Sequence, residues 1–186
     1  MRTVLHHPEL FATVFESITK SKLHRPVTGL STDSREVKEG DLYIAIHGER
    51  VNGHQFLNEV RLAGAVAALV CDIDEHIDIQ QIKVSDTLSV ISEIANKWRM
   101  KFDIPVIGIT GSNGKTSTKE LLSHVLSSKF KMHATKGNFN TKIGLPLTLL
   151  GMEKSHDISI LEMGASGPGE IEALCQLAKP THGIIT

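Results

Sequence analysis

Gly111, Ser112, Asn113, Gly114, Lys115, Thr116 and Ser117 stand together in the string GITGSNGKTSTKELL, and these are residue types that handle phosphate. The two glycines admit backbone angles and a close approach that a Cβ would block. Main-chain N–H groups can then converge on anionic oxygens where a strand ends and a helix begins. Lys115 offers a point charge to terminal phosphates, and the Thr116 hydroxyl is a ligand type for Mg2+. Each hydrogen bond to a charged group contributes about 1.5–3 kcal/mol, so several acting together would hold a nucleotide such as ATP. In one place the string departs from GxxxxGK[ST]: the first glycine of that pattern would fall at Ile109, whereas Gly108 lies one residue earlier. The bland alternative is a glycine-rich strand-to-helix turn with no ligand.

Such a loop needs a strand before it and a helix after it. VIGIT reads as the strand and residues 115–128 as the helix, followed by strand KMHAT, a glycine-punctuated loop, strand ISILEM, helix GEIEALCQLAK and strand GIIT. Short apolar runs alternating with helices predict a doubly wound parallel sheet covered on both faces. The chain stops on a strand where such a sheet would normally continue, so it is expected to be a fragment with a truncated P-loop domain.

Upstream, Leu10, Phe11, Val14, Phe15 and Ile18 fall at helical spacing over residues 8–20, with Pro8 at the start. DLYIAI and VAALV read as strands joined by a crossover helix, HQFLNEVRLAGA; IQQIKV is a further strand and SDTLSVISEIANKWRMKF a capped helix. The expected organisation is therefore a small N-terminal α/β domain over residues 1–102 and a P-loop α/β domain over 103–186.

Composition removes several classes of function. Lys and Arg number 20 against 21 Asp and Glu, so no overall field draws the chain to nucleic acid or an anionic membrane, and any anion site must be local. Cys71 and Cys175 lack metal-ligand spacing and suit small buried thiols in a reducing compartment. Ten histidines scatter without HxH or HExxH spacing, so no metal is assigned to them. The N-terminus lacks an unbroken apolar core and no window reaches the length of a membrane span, so a cytoplasmic protein is expected.

GITGSNGKTSTKELL, GNFNTKIGLPLTLL and ILEMGASGPGEI together resemble the ATP-binding central domain of the Mur ligases, the cytoplasmic amide-forming enzymes of peptidoglycan synthesis. The displaced glycine is the form typical of that family. STDSREVKEGDLYIAIHGERVNGHQFLNEVRLAGAVAALV resembles its N-terminal domain, which holds the UDP end of the substrate.

The resemblance implies site residues. Gly111 to Thr116, with Ser117, would hold the ATP phosphates, and Thr116 and Glu162 would hold Mg2+. Lys115, Glu162 and Asn138 would be catalytic, with Asn138 and Asn140 near the phosphates and the reacting carboxyl. A carboxylate at a strand's C-terminal end beside the loop suits the metal role. In the first domain Thr32, Asp33, Ser34, Arg35, Gly48, Glu49, Arg50, Asn52 and His54 would line the substrate site: Arg35 or Arg50 would pair with pyrophosphate, and Ser34 or Asn52 with uracil edges.

Within the family the match is nearest to members that join D-alanyl-D-alanine to UDP-N-acetylmuramoyl-tripeptide through an acyl phosphate. A monomer without nucleic-acid partners is expected. Other Mur ligases, folylpolyglutamate synthase, a P-loop kinase and a non-catalytic UDP-sugar-binding module remain alternatives.

Overall fold

A computed structural model describes residues 1–48 and 51–186. The chain divides into two compact units, Met1–Ile94 and Ala95–Thr186.

The first unit contains β1 (Arg2–Val4), α1 (Pro8–Thr19), β2 (Gly29–Ser31), β3 (Asp41–Ile44), α2 (Leu57–Leu62), β4 (Ala67–Val70), β5 (Gln80–Lys83) and the start of α3 (Thr87–Arg99). Its strands lie in chain order; β1 runs antiparallel to β2, and the other neighbours are parallel. Every residue of β3 and β4 is buried, as befits parallel strands covered on both faces. On one face Tyr43, Ala45, Ala68 and Val70 pack with Leu57 and Val60 of α2, the alternation that a period of two dictates. Phe11, Val14 and Phe15 form the buried stripe of α1, with Pro8 in its first turn.

Two short strands, β1 and β2, escape the sequence reading. Three residues are too few to show alternation, and β1 is tied down by a side chain: Arg2 forks onto Asp41 at 2.7 and 2.9 Å. The crossover helix expected over residues 54–65 is shorter than its pattern suggests. A 3₁₀ turn at Gly53–Phe56 precedes α2, capped by the Asn52 carboxamide, which accepts the His54 N–H at 3.0 Å.

In the second unit come β6 (Val106–Thr110), α4 (Lys115–Ser127), β7 (Met132–Ala134), α5 (Gly144–Leu150), β8 (Ile158–Glu162), α6 (Glu170–Ala178) and β9 (His182–Ile185). The sheet is wholly parallel in the order β7-β8-β6-β9. The helix α5 falls in the stretch read as a glycine-punctuated loop. All seven of its residues are buried, so GLPLTLL has no polar face and no helical period to read.

The division between the two compact units falls inside α3, between Ile94 and Ala95. The C-terminal turns of that helix belong to the second core: Trp98, fully buried, donates Nε1–H to the Met152 carbonyl at 3.3 Å, and Arg99 donates to the carbonyls of Ala178 and Phe102 at 3.1 and 2.7 Å. Cys71 and Cys175 are half-buried, where buried thiols were expected. Among the described residues no helix is long and apolar enough to cross a membrane.

Candidate functional site

Sheet order explains the principal cluster. β6 ends at the glycine loop and β8 ends at Glu162; the two strands are neighbours, with Ile109 in register with Glu162. Loop and carboxylate therefore share one C-terminal edge of the sheet, where ligands of open parallel sheets bind.

Gly111 at φ +141° and Gly114 at φ +79° hold conformations that side chains disfavour, and a Cβ on Gly111 would collide with Thr186. Gly114 caps α4 and accepts the Thr118 N–H at 2.8 Å. The N–H groups of residues 112–116 meet no acceptor among the described residues, the open-donor state expected at a helix start. Ser112, Asn113 and Ser117 are exposed around this turn. Lys115 Nζ donates to the carbonyl of Gly111 at 2.8 Å, so the cation lies folded over its own loop.

Glu162 is 3% exposed, and each of its carboxylate oxygens accepts one hydrogen bond. Oε2 accepts from the Thr116 hydroxyl at 2.9 Å and Oε1 from the Asn140 amide at 2.8 Å, while the Glu162 N–H donates to Thr135 Oγ1 at 3.0 Å. Asn140 is locked from its other side by Gly164, whose N–H donates to the Asn140 carbonyl at 2.8 Å. Asn138 sits two residues earlier, exposed on the turn closed by Phe139 N–H to the Lys136 carbonyl, and no hydrogen bond joins its side chain to Glu162 or Lys115. Of the two asparagines, only Asn140 enters the cluster. Beyond it lies a cavity of about 480 Å³ bordered by Thr141, Lys142, Gly164, Ser166 and Glu170.

A second candidate site lies in the first unit. Thr32, Asp33, Ser34, Arg35 and Gly48 line a cleft of about 550 Å³. Arg35 Nε and Nη2 fork onto the Asp33 carboxylate at 2.9 and 2.6 Å, and the Arg35 side chain remains 82% exposed. That hydrogen-bonded guanidinium holds the Asp33 carboxyl down to about 2. Tyr43 also borders the cleft and donates to the Gly53 carbonyl at 3.1 Å; burial pushes its phenol up to about 12. Tyr43 and Glu59 went unnoticed in the sequence because each sits at an ordinary strand or helix position.

Asn52 and His54 do not line that cleft. The Asn52 carboxamide oxygen faces His54 Nδ1 at 2.8 Å, and His54 Nε2 accepts the Cys71 N–H at 2.8 Å. These bonds fix a neutral ring protonated on Nδ1, and burial followed by the stacked His47 ring lowers its pKa. Both residues brace the loop. Glu49 and Arg50, also expected in the substrate site, lie outside the described residues.

Residues 26–99 match the family described as "Mur ligase family, catalytic domain" and residues 109–186 match "Mur ligase middle domain". The chain is 42% identical over 172 residues to the UDP-N-acetylmuramoyl-tripeptide--D-alanyl-D-alanine ligase of Synechocystis sp., covering 91% of this chain and 38% of the relative. It is 41% identical to the Bacillus subtilis protein of the same name over 164 residues, 86% of this chain and 35% of that one. Among solved structures, a MurF from Acinetobacter baumannii superposes with a TM-score of 0.85 at 32% identity, over 94% of this chain and 40% of that one. A Thermotoga maritima MurF in complex with ADP superposes at 0.73 and 38% identity, over 81% of this chain and 35% of that one. The chain thus spans less than half the length of these relatives. With both units matched, the chain belongs to the Mur ligase family.

Proposed function

We propose that this chain supplies the nucleotide-binding and UDP-substrate-binding parts of an ATP-dependent amide ligase, one that joins D-alanyl-D-alanine to UDP-N-acetylmuramoyl-tripeptide through an acyl phosphate in the cytoplasm. The observation that carries the reading is the buried Glu162 carboxylate held between Thr116 of the glycine loop and Asn140.

The residues fit ATP and Mg2+. At this edge the described residues offer two oxygen donors, the Glu162 carboxylate and the Thr116 hydroxyl, and no group of three or more His, Cys, Asp or Glu converges among them. That sparse set suits Mg2+, which keeps several waters and takes its other ligands from phosphate. When bound, Mg2+ would neutralise charge on the transferring phosphoryl group.

The open N–H groups of residues 112–116 would receive phosphate oxygens, helped by the dipole of α4. Lys115 would exchange the Gly111 carbonyl for phosphate, and Asn138, exposed beside the cluster, would donate to the reacting carboxyl. Catalysis would rest on positioning and charge neutralisation, without a covalent enzyme intermediate. In the first unit the Thr32–Arg35 cleft would hold the UDP end, with Arg35 facing pyrophosphate.

Calorimetry with UDP-N-acetylmuramoyl-tripeptide and with Mg·ATP, each alone, tests the reading. Two distinct sites are expected, one of which Lys115→Ala abolishes while sparing the other. Near-normal acyl-phosphate formation by the Lys115→Ala variant of the intact protein would refute the phosphate role.

A further inference from the structure

Lys119 lies on α4 one turn beyond Lys115 and Thr116, and it is only 4% exposed. Burying an ammonium is costly unless it is paired and hydrogen-bonded. Its Nζ donates to the Thr135 carbonyl at 2.8 Å and pairs with Glu120 Oε1 at 2.9 Å. Thr135, 2% exposed, immediately follows β7. Its N–H donates to the Ile160 carbonyl of β8 at 3.0 Å, and its hydroxyl accepts the Glu162 N–H at 3.0 Å. One residue is thus gripped by α4 through its carbonyl and grips Glu162 through its hydroxyl. It also stands immediately before the turn Lys136–Phe139, which carries Asn138 and leads into Asn140.

An aliphatic side chain would serve packing alone at position 119. It would leave the buried Thr135 carbonyl without this donor, the kind of loss that proteins avoid. We propose that Lys119 is a positioning residue of the nucleotide site: acting through Thr135, it fixes the Glu162 backbone and the start of the segment that carries Asn138 and Asn140 against α4. The inference rests on the function proposed above for Glu162. Outer partners of this kind typically change metal affinity by about 10–100-fold when removed.

The test compares wild type, Lys119→Met, Lys119→Arg and Thr135→Val in the intact protein. Three quantities are read: the Mg2+ concentration at half-maximal ADP binding, ADP affinity without metal, and hydrogen exchange of the Glu162 amide. Lys119→Met and Thr135→Val should raise the Mg2+ midpoint by roughly 10–100-fold and accelerate Glu162 exchange, with metal-free ADP affinity little changed. Lys119→Arg, which keeps a donor cation, should recover much of both effects. If Lys119→Met fails to fold, Thr135→Val and Lys119→Arg decide alone. Variants that melt at lower temperature but keep the wild-type Mg2+ midpoint and Glu162 exchange would overturn the proposal. Absence of ADP binding in the wild type would instead count against the nucleotide reading, and the exchange measurement would still judge the linkage from Lys119 to Glu162.

Discussion

The Thr116 hydroxyl donates to Glu162 Oε2 at 2.9 Å across 46 residues of sequence. The contact follows from topology: β6 and β8 are adjacent and in parallel register, so the helix that starts after β6 meets the last residue of β8. Because the hydroxyl and carboxylate already touch, a divalent cation at this edge would find both oxygens pre-positioned, and little ordering would remain at binding.

Replacing Glu162 by Gln therefore separates charge from shape. The side chain keeps its size, but it loses the acceptor that Asn140 or Thr116 requires and the charge that a cation requires. Expected is a Mg2+-dependent loss of nucleotide binding of about 1.5–3 kcal/mol, or roughly 10–100-fold, with metal-free binding unchanged. Titrations of ADP with and without Mg2+ check it, and equal losses in both would assign Glu162 a purely structural part.

His133 gives the second unit a predictable response to acid. Its ring is almost wholly buried, with Nε2 facing the Thr148 carbonyl at 2.9 Å and Nδ1 facing the Ser159 hydroxyl at 2.8 Å. Because a carbonyl can only accept, Nε2 carries the proton and Nδ1 accepts from Ser159. Burial, reinforced by neighbouring His156, holds its pKa down to about 4 from 6.5. Between those values the unfolded chain binds the proton and the folded chain does not, so stability falls as pH drops from 6.5 towards 4 and is unaffected above that window. The loss is on the order of 3 kcal/mol. His133→Gln, which can still donate to one partner and accept from the other, should flatten the melting temperature of this unit across the same range. An unaltered pH slope in that variant would exclude His133 as the titrating group.

Legibility in the sequence tracked how local each feature is. The glycine loop and α4 were readable because GSNGKTS carries its turn chemistry within a few residues. The identity of Glu162 as the partner carboxylate needed the resemblance, because no spacing rule links position 116 to position 162. What stayed hidden is tertiary. The helix α5 is apolar all round, β1 is held by a side chain from β3, and the C-terminal turns of α3 choose their core through Trp98 and Arg99. His54 looked like a ligand because its type suits one; its Nε2 is already committed to the Cys71 N–H.

The Arg2–Asp41 fork should show an asymmetry between its two ends. The Asp41 side chain is fully buried and that of Arg2 is 18% exposed. Gly29 lies against the pair, where a Cβ would collide with Asp41 Oδ1. Arg2→Ala strands a buried carboxylate whose remaining support among the described residues is the Lys38 N–H at 2.9 Å, and a loss of about 3–5 kcal/mol is expected. Asp41→Ala leaves a cation that can reach water and should cost less. Denaturant unfolding of both variants decides the order, and the reverse order would contradict this account.

Arg35 affords the test of the cleft in the first unit. Asp33 orients the guanidinium through two hydrogen bonds, and the Asp33 carboxyl, held down to about 2 by that arginine, stays ionised throughout the neutral range. The fork toward solvent is therefore constant from pH 5 to pH 8, and UDP affinity should not vary with this pair over that interval. Arg35→Ala should weaken UDP binding several-fold while leaving the melting temperature unchanged, because exposed pairs contribute little to folding. Arg35→Lys should fail to restore it, since an ammonium cannot reproduce the planar fork that fits a diphosphate and its own aspartate together. Calorimetric titration of UDP into the three proteins measures this directly. Full affinity in Arg35→Ala would remove the arginine from the substrate site and leave the cleft's other polar groups, Thr32 and Ser34, to account for any UDP that binds.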